Sequence, residues 1–308
     1  MERVDDFSAL PAGCTGGLLS IGKFDGVHLG HAELLKILTD NARRMAVPSV
    51  VITFDPPPLS FLAPERLSPP LYTLANKIRW IESFSPDYLL VISADREFFA
   101  QNPEEFFRST VLSSLNAKGM VEGTNFTFGR DRAGNDQTLR RLCEKYQLFL
   151  ELVPPVRCLG EPVSSSRIRR LIRSGAVDTA ATLLMSPYTL EGVCVPGEHR
   201  GSALGFPTAN VGQIETLLPG SGVYAATAYV AGARYAAALS VGGNPTFGVE
   251  TVKVEAHLID YHGGDLYGEP IILEPREKLR DLVTFSSKEQ LINQIEHDIA
   301  ASSGGWLP

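Results

Sequence analysis

The chain has 308 residues and a net charge of −7, with 44% hydrophobic and 20% charged residues, values that suit a globular protein with room for two domains. The negative balance excludes an electrostatic footprint for nucleic acid, and no apolar run approaches the roughly 18 residues that a membrane span needs. Cys14, Cys143, Cys158 and Cys194 have no CxxC spacing, which argues against a zinc site or disulfide framework and predicts a reducing, cytoplasmic setting; the acidic N-terminal MERVDDFSALPAG has no apolar core and does not read as a signal peptide.

In chain order, Leu18 to Ile21 reads as a strand, followed by a Gly-rich turn and a helix from His31 to Ala46 with Leu34, Leu35 and Leu38 at helical spacing. Pro48 ends it. SVVITF (49–54), DYLLVIS (87–93) and LFLELV (148–153) are further buried strands, and AKGMVEG (117–123) adds one more. Helices are predicted at 74–84 and 102–115. The Pro-rich stretch 54–71 reads as a long loop at the edge of the first domain's site. Strands separated by helices predict a parallel sheet covered on both faces, with ligands beyond the carboxyl ends of its strands.

SRIRRLIRSGAVDTAATLLMSP (166–187) reads as two short helices, the second ended by Pro187. Strands then dominate: 189–197, 222–232, 234–242 and 252–260, with a tight hairpin turn at Gly232-Ala233. The end is helical again. Ser286 with Glu289 three residues on forms a capping-box pattern, and Leu291, Ile295 and Ile299 stripe one face. The expected architecture is α/β. A Rossmann-like domain over 1–186 precedes an antiparallel β domain over 187–308 that is closed by a terminal helix.

Two stretches concentrate chemistry. His28 and His31, three apart at a strand-to-helix junction, fall on one side of a helical turn. Free N–H groups at a helix start favour phosphate, and Gly26 and Gly30 let backbone approach a ligand. Two imidazoles there suit charge stabilisation on a transferring nucleotidyl phosphate. From spacing alone, a metal pair or packed bystanders remain open. In RGSALGFPTANV (200–211), Gly201, Gly205 and Pro207 shape a loop, and Thr208 and Asn210 offer hard oxygen donors suited to Mg²⁺. An ordinary turn is the other reading. In VKVEAHLID (252–260), Val252, Val254, Ala256 and Leu258 share one strand face and Lys253, Glu255 and His257 the other.

GKFDGVHLGH (22–31) resembles the HxGH nucleotidyltransferase motif of bifunctional riboflavin kinase/FAD synthetases. TFDPPP (53–58), EGTNFTFGRDRAGN (122–135), VSSSRIRRLIRSGAV (163–177), GFPTAN (205–210), the Glu255 strand, GGNPTFG (242–248), DLYG (265–268) and 278–295 resemble that family's other segments in order. The resemblance spans residues 17 to 300 and implies a β-barrel kinase domain behind the nucleotidyltransferase domain. It implies phosphorylation of riboflavin by ATP to FMN, then adenylylation of FMN by ATP to FAD and pyrophosphate. By the same resemblance His28 and His31 contact the ATP phosphates, with Gly22, Asp25, Gly26 and Gly30 forming the nucleotide loop. Ser164, Ser165 and Arg167 close over the triphosphate, while Arg170 and Arg173 read as a solvated helix face. Asn125, Phe126 and Phe128 lie near the flavin. Thr208 and Asn210 hold Mg²⁺ on the second nucleotide, beside Gly201, Gly205 and Pro207, and Glu255 is the kinase's base. His257, His262 and His297 are set aside as bystanders. Lys23 stands where the family usually has Asn, and Pro57 where it has His. Two other readings are a monofunctional kinase with a degenerate first domain and a non-catalytic flavin-nucleotide binder. The sequence leaves the oligomeric state open.

Overall fold

The structure, a computed structural model, describes residues 1–198, 200–244 and 249–304. Residues 245–248 of the GGNPTFG stretch lie outside that set. The chain forms two compact units, residues 1–68 with 74–164, and residues 69–73 with 165–308.

The first unit runs β1 (Glu2–Val4), β2 (Leu18–Ile21), α1 (Leu29–Met45), β3 (Ser49–Phe54), α2 (Leu59–Leu62), α3 (Leu74–Glu82), β4 (Tyr88–Ile92), α4 (Arg96–Ala100), α5 (Pro103–Phe106), β5 (Gly119–Gly123), α6 (Asp136–Lys145) and β6 (Phe149–Val153), then a hairpin of β7 (Arg157–Cys158) and β8 (Glu161–Pro162). Six strands make a parallel sheet in the order β1-β4-β3-β2-β5-β6. Every residue of β2 and β3 is buried, as expected of strands covered on both faces, and that is why they read as predominantly apolar runs. After β2 the chain builds outward through β3 and β4, then returns to place β5 on the other side of β2. The β2/β5 boundary is therefore the topological switch point, where such sheets open a crevice.

The second unit runs α7 (Ser165–Ser174), α8 (Val177–Ala181), β9 (Leu190–Val195), α9 (Arg200–Leu204), β10 (Ala209–Gly212), β11 (Gly222–Val230), β12 (Ala233–Asn244), β13 (Val249–Leu258), β14 (Pro270–Arg280) and α10 (Lys288–Ser303). Its six strands close into an antiparallel barrel in the order β10-β13-β12-β11-β14-β9. α10 is anchored to it by Arg280, whose guanidinium grips Asp298 at 2.7 and 3.0 Å. Asp298 is buried, and removing one partner of a buried pair costs about 3–5 kcal/mol.

Several expectations shift. α1 starts at Leu29, because His28 caps it. The 102–115 helix is α5 followed by π-helical turns at Phe107–Ser114. α8 stops at Ala181, before Pro187 can act on it. The hairpin turn is Ala231-Gly232, both at positive φ (51° and 74°), as a two-residue turn matching strand twist requires. The α10 cap is Ser287, whose side chain accepts from Gln290 N–H, so the capping pattern sits one residue later than Ser286 and Glu289. The 54–71 stretch contains α2, and its end groups with the second unit: Leu71 and Tyr72 are buried, and Leu217 N–H donates to Pro70 O at 2.8 Å. Val252 is 59% exposed although Val254, Ala256 and Leu258 on its face are buried.

Candidate functional site

The first site lies at the carboxyl end of β2. Leaving Ile21, the chain turns sharply through Phe24 (φ 45°), Gly26 (φ 84°) and Val27 (φ 25°). Two of these are non-glycine residues in the left-handed region, and Val27 is β-branched. Such conformations persist only where surroundings enforce them, and Phe24 and Val27 are fully packed. Gly22 N–H donates to Ile52 O at 2.9 Å, Thr53 Oγ1 donates to Lys23 O at 3.2 Å, and a side chain at Gly22 would press the Phe24 ring at 3.1 Å.

The turn delivers His28 as the N-cap of α1. His28 Nδ1 accepts from His31 N–H at 3.3 Å, so its proton resides on Nε2. The two imidazoles stack, with centroids 3.7 Å apart and planes 12° from parallel, and Phe24 lies 5.2 Å from His31. Gly30 is fixed by this stack, since a Cβ there would sit 3.2 Å from the His28 ring. The same Cβ position is 3.9 Å from Val163 O, which brings the start of the VSSSR stretch, with Ser164, to the histidines. Burial pushes His28 down to about 4. His31 lies well below the ordinary histidine range, through burial first and then the charges of His28 and Lys77. Both are neutral at pH 7. His31 Nδ1 is buried with no hydrogen-bond partner, an orphan that a ligand atom would satisfy.

Sequence reasoning passed over Lys77. On α3 it is 9% exposed and its ammonium is held below the usual lysine value by burial, against the pull of Asp25 and Asp55. The available signal was its place with Leu74 and Ile81 on the inner helix face. After β5, Asn125 is exposed and Phe126 half-buried. Phe126 stacks on Phe128 at 5.4 Å, and Phe128 is a core residue, 6% exposed, 5.8 Å from Phe106. In α7 Arg167 is buried while Ser164 and Ser165 are half-buried, and Arg170 and Arg173 are exposed.

The second site is on the outer face of the barrel. Register places Glu255 of β13 directly opposite Asn210 of β10 on one side and Ser240 of β12 on the other. Facing residues point to the same side of a sheet, so Asn210, Ser240 and Glu255 share one patch. Thr208 precedes β10. Two glycines make room for the donors: a Cβ at Gly197 would lie 2.0 Å from Asn210 Nδ2, and one at Gly201 would lie 2.4 Å from Phe206 O and 3.3 Å from Thr208 Oγ1. Gly205 holds φ 95° where α9 ends, and Pro207 is exposed. His257, set aside by sequence as a bystander, bonds Pro207 O through Nδ1 at 2.8 Å and meets Phe206 edge-on, so it positions the PTAN loop. Lys253 pairs with Glu198 at 2.6 Å. Among the described residues no three His, Cys, Asp or Glu side chains converge as a metal cage. The hydroxyl and amide oxygens of Thr208 and Asn210 suit Mg²⁺ shared with a nucleotide's phosphates, since Mg²⁺ takes few protein ligands there. Gly197→Ala should therefore displace the Asn210 amide and raise KM for the Mg²⁺-nucleotide by roughly tenfold or more, an effect of ~1.4 kcal/mol. Steady-state kinetics check this, and an unchanged KM would contradict it.

A stacked histidine pair at a helix start beyond the switch point of a parallel sheet, in one chain with a barrel bearing a carboxylate beside hard oxygen donors, suits a transferase of nucleotide chemistry. The FAD synthetase family model matches residues 12–167 and the riboflavin kinase model residues 184–304. The chain is 32% identical over 284 residues to the bifunctional riboflavin kinase/FMN adenylyltransferase of Escherichia coli K12, covering 92% of this chain and 90% of that one. With the protein of the same description from Bacillus subtilis it shares 32% over 286 residues, covering 91% and 90%. A crystal structure described as a macrolide-efflux protein from Streptococcus pneumoniae superposes with a TM-score of 0.85 at 29% identity, covering 99% of both chains. No helix among the described residues is long and apolar enough to cross a membrane. The chain belongs to the bifunctional riboflavin kinase/FMN adenylyltransferase family.

Proposed function

We infer that this chain converts riboflavin and ATP to FMN in its barrel unit, and FMN and ATP to FAD and pyrophosphate in its parallel-sheet unit. The cross-strand pairing of Asn210 with Glu255 carries the kinase reading. Glu255 accepts the proton of the ribityl 5′-hydroxyl as that oxygen attacks the γ-phosphorus and the bond to ADP breaks. Thr208 and Asn210 would hold Mg²⁺, which when bound neutralises phosphate charge. Gly201, Gly205 and Pro207 shape the loop around that nucleotide.

In the first unit the FMN phosphate is already an anionic nucleophile and needs no base. An FMN phosphate oxygen attacks the α-phosphorus of ATP and pyrophosphate leaves. Catalysis there is in-line positioning and charge neutralisation. The His28 and His31 rings supply N–H donors and take up charge as it builds on pyrophosphate. Gly22, Asp25, Gly26 and Gly30 shape the loop at the helix start. Ser164 closes on the phosphates, Lys77 adds a buried positive charge, and Asn125 and Phe126 hold the flavin with Phe128 behind them. Free cysteines, three of them buried, suit a reducing cytoplasm.

Purified protein given riboflavin, ATP and Mg²⁺ should form FMN first and FAD after a lag, resolved by chromatography. FMN with no FAD would reduce the chain to a kinase, and neither product would leave a flavin-nucleotide binder.

A further inference from the structure

The sheet splits at its topological switch point. β2 and β5 pair only at Leu18 with Gly119 and at Leu19 with Met120. Past that point Ser20 and Ile21 pair with β3 alone, and Val121 to Gly123 with β6 alone. The Ile21 N–H would be orphaned in the gap. It donates instead to Glu122 Oε1 at 2.7 Å, and Glu122 is 1% exposed. Paired strands lie about 4.8 Å apart, and a bridge through a glutamate side chain spaces them more widely. One residue beyond Ile21 the Gly22–His28 turn begins, and Glu122 is followed by Gly123 and then the Asn125–Phe128 segment.

We propose that Glu122 is a positioning residue for adenylyl transfer: wedged between the ends of β2 and β5, its side chain sets the gap between the loop that holds ATP and the loop that holds FMN. This rests on the assignment of the two loops given above. In-line attack requires the reacting atoms about 3–3.5 Å apart, and a misplacement of ~1 Å costs up to roughly 10²-fold. Burial favours the neutral form of the bridge. Burial raises the Glu122 carboxyl well above its ordinary value, against the Ile21 hydrogen bond that favours ionisation. The titratable group facing it, the Cys143 thiol of α6, is itself pushed up to about 12 by burial, and so stays uncharged.

The test uses the full chain and both activities. Glu122→Val removes the acceptor and should cut kcat for FAD formation by roughly 10²-fold while FMN formation by the same protein holds. Glu122→Gln keeps a neutral acceptor and should restore FAD formation. A group whose folded value is raised contributes stability that is present at low pH and lost as pH rises from the ordinary carboxyl range through the folded value. Thermal stability should therefore fall over that range more steeply in the native chain than in Glu122→Gln. Undiminished FAD formation by Glu122→Val, or an equal loss in Glu122→Gln, would overturn the proposal. If Glu122→Val loses FMN formation too and so fails to fold, Glu122→Asp, which shortens the bridge, replaces it with the same criteria. A His28→Ala, His31→Ala control that still made FAD would instead unseat the loop assignment.

Discussion

Glu255→Gln should abolish FMN formation, by roughly 10²–10⁴-fold in kcat, the range associated with losing a general base. The amide keeps the shape and hydrogen-bonding reach of the carboxylate but cannot take the hydroxyl proton. Glu255 is half-exposed on the outer barrel face, so the exchange leaves the Val254, Ala256 and Leu258 packing intact. Supplied with FMN, the variant should still make FAD at the native rate. Initial rates with riboflavin and with FMN, measured separately, decide it. Loss of both activities would contradict independent sites, and retention of FMN formation would remove Glu255 from the chemistry.

The paired replacement His28→Ala, His31→Ala should do the reverse, with FAD formation falling by roughly 10²–10³-fold or more and FMN formation preserved. The structural cost is separable. Losing the His28 cap on α1 removes one side-chain acceptor, worth roughly 1 kcal/mol, whereas a 10²-fold rate loss is about 2.7 kcal/mol at the transition state. A modest fall in thermal stability with a large fall in FAD formation is thus the expected pattern. The depressed histidines also set an acid limit: the stability tied to neutral His28 is present above about pH 6.5 and is lost as pH falls through its folded value of about 4.

Much of this was legible in the residues. β2, β3 and β4 announce themselves because strands buried on both faces are largely apolar. The histidine pair was legible from its spacing and from Gly30, although the face-to-face stack was not. β1 was missed because three residues, two of them Glu2 and Arg3, carry no periodicity. Glu122 was missed because hydropathy treats a carboxylate as a surface group, and nothing local says that a main-chain donor waits for it across the sheet. The Asn210–Glu255 pairing was invisible for a related reason. Each residue signals its chemistry locally, but the register between β10 and β13 is set by the whole barrel.

That register gives the barrel an internal clock. β10 and β13 are distant in sequence, and contacts of that kind form late because loop closure must precede them. The Asn210–Glu255 pair exists only once β10 has docked on β13. FMN formation should thus trail the recovery of local secondary structure when the unfolded chain refolds, and the enzyme's own product reports the docking of β10 on β13.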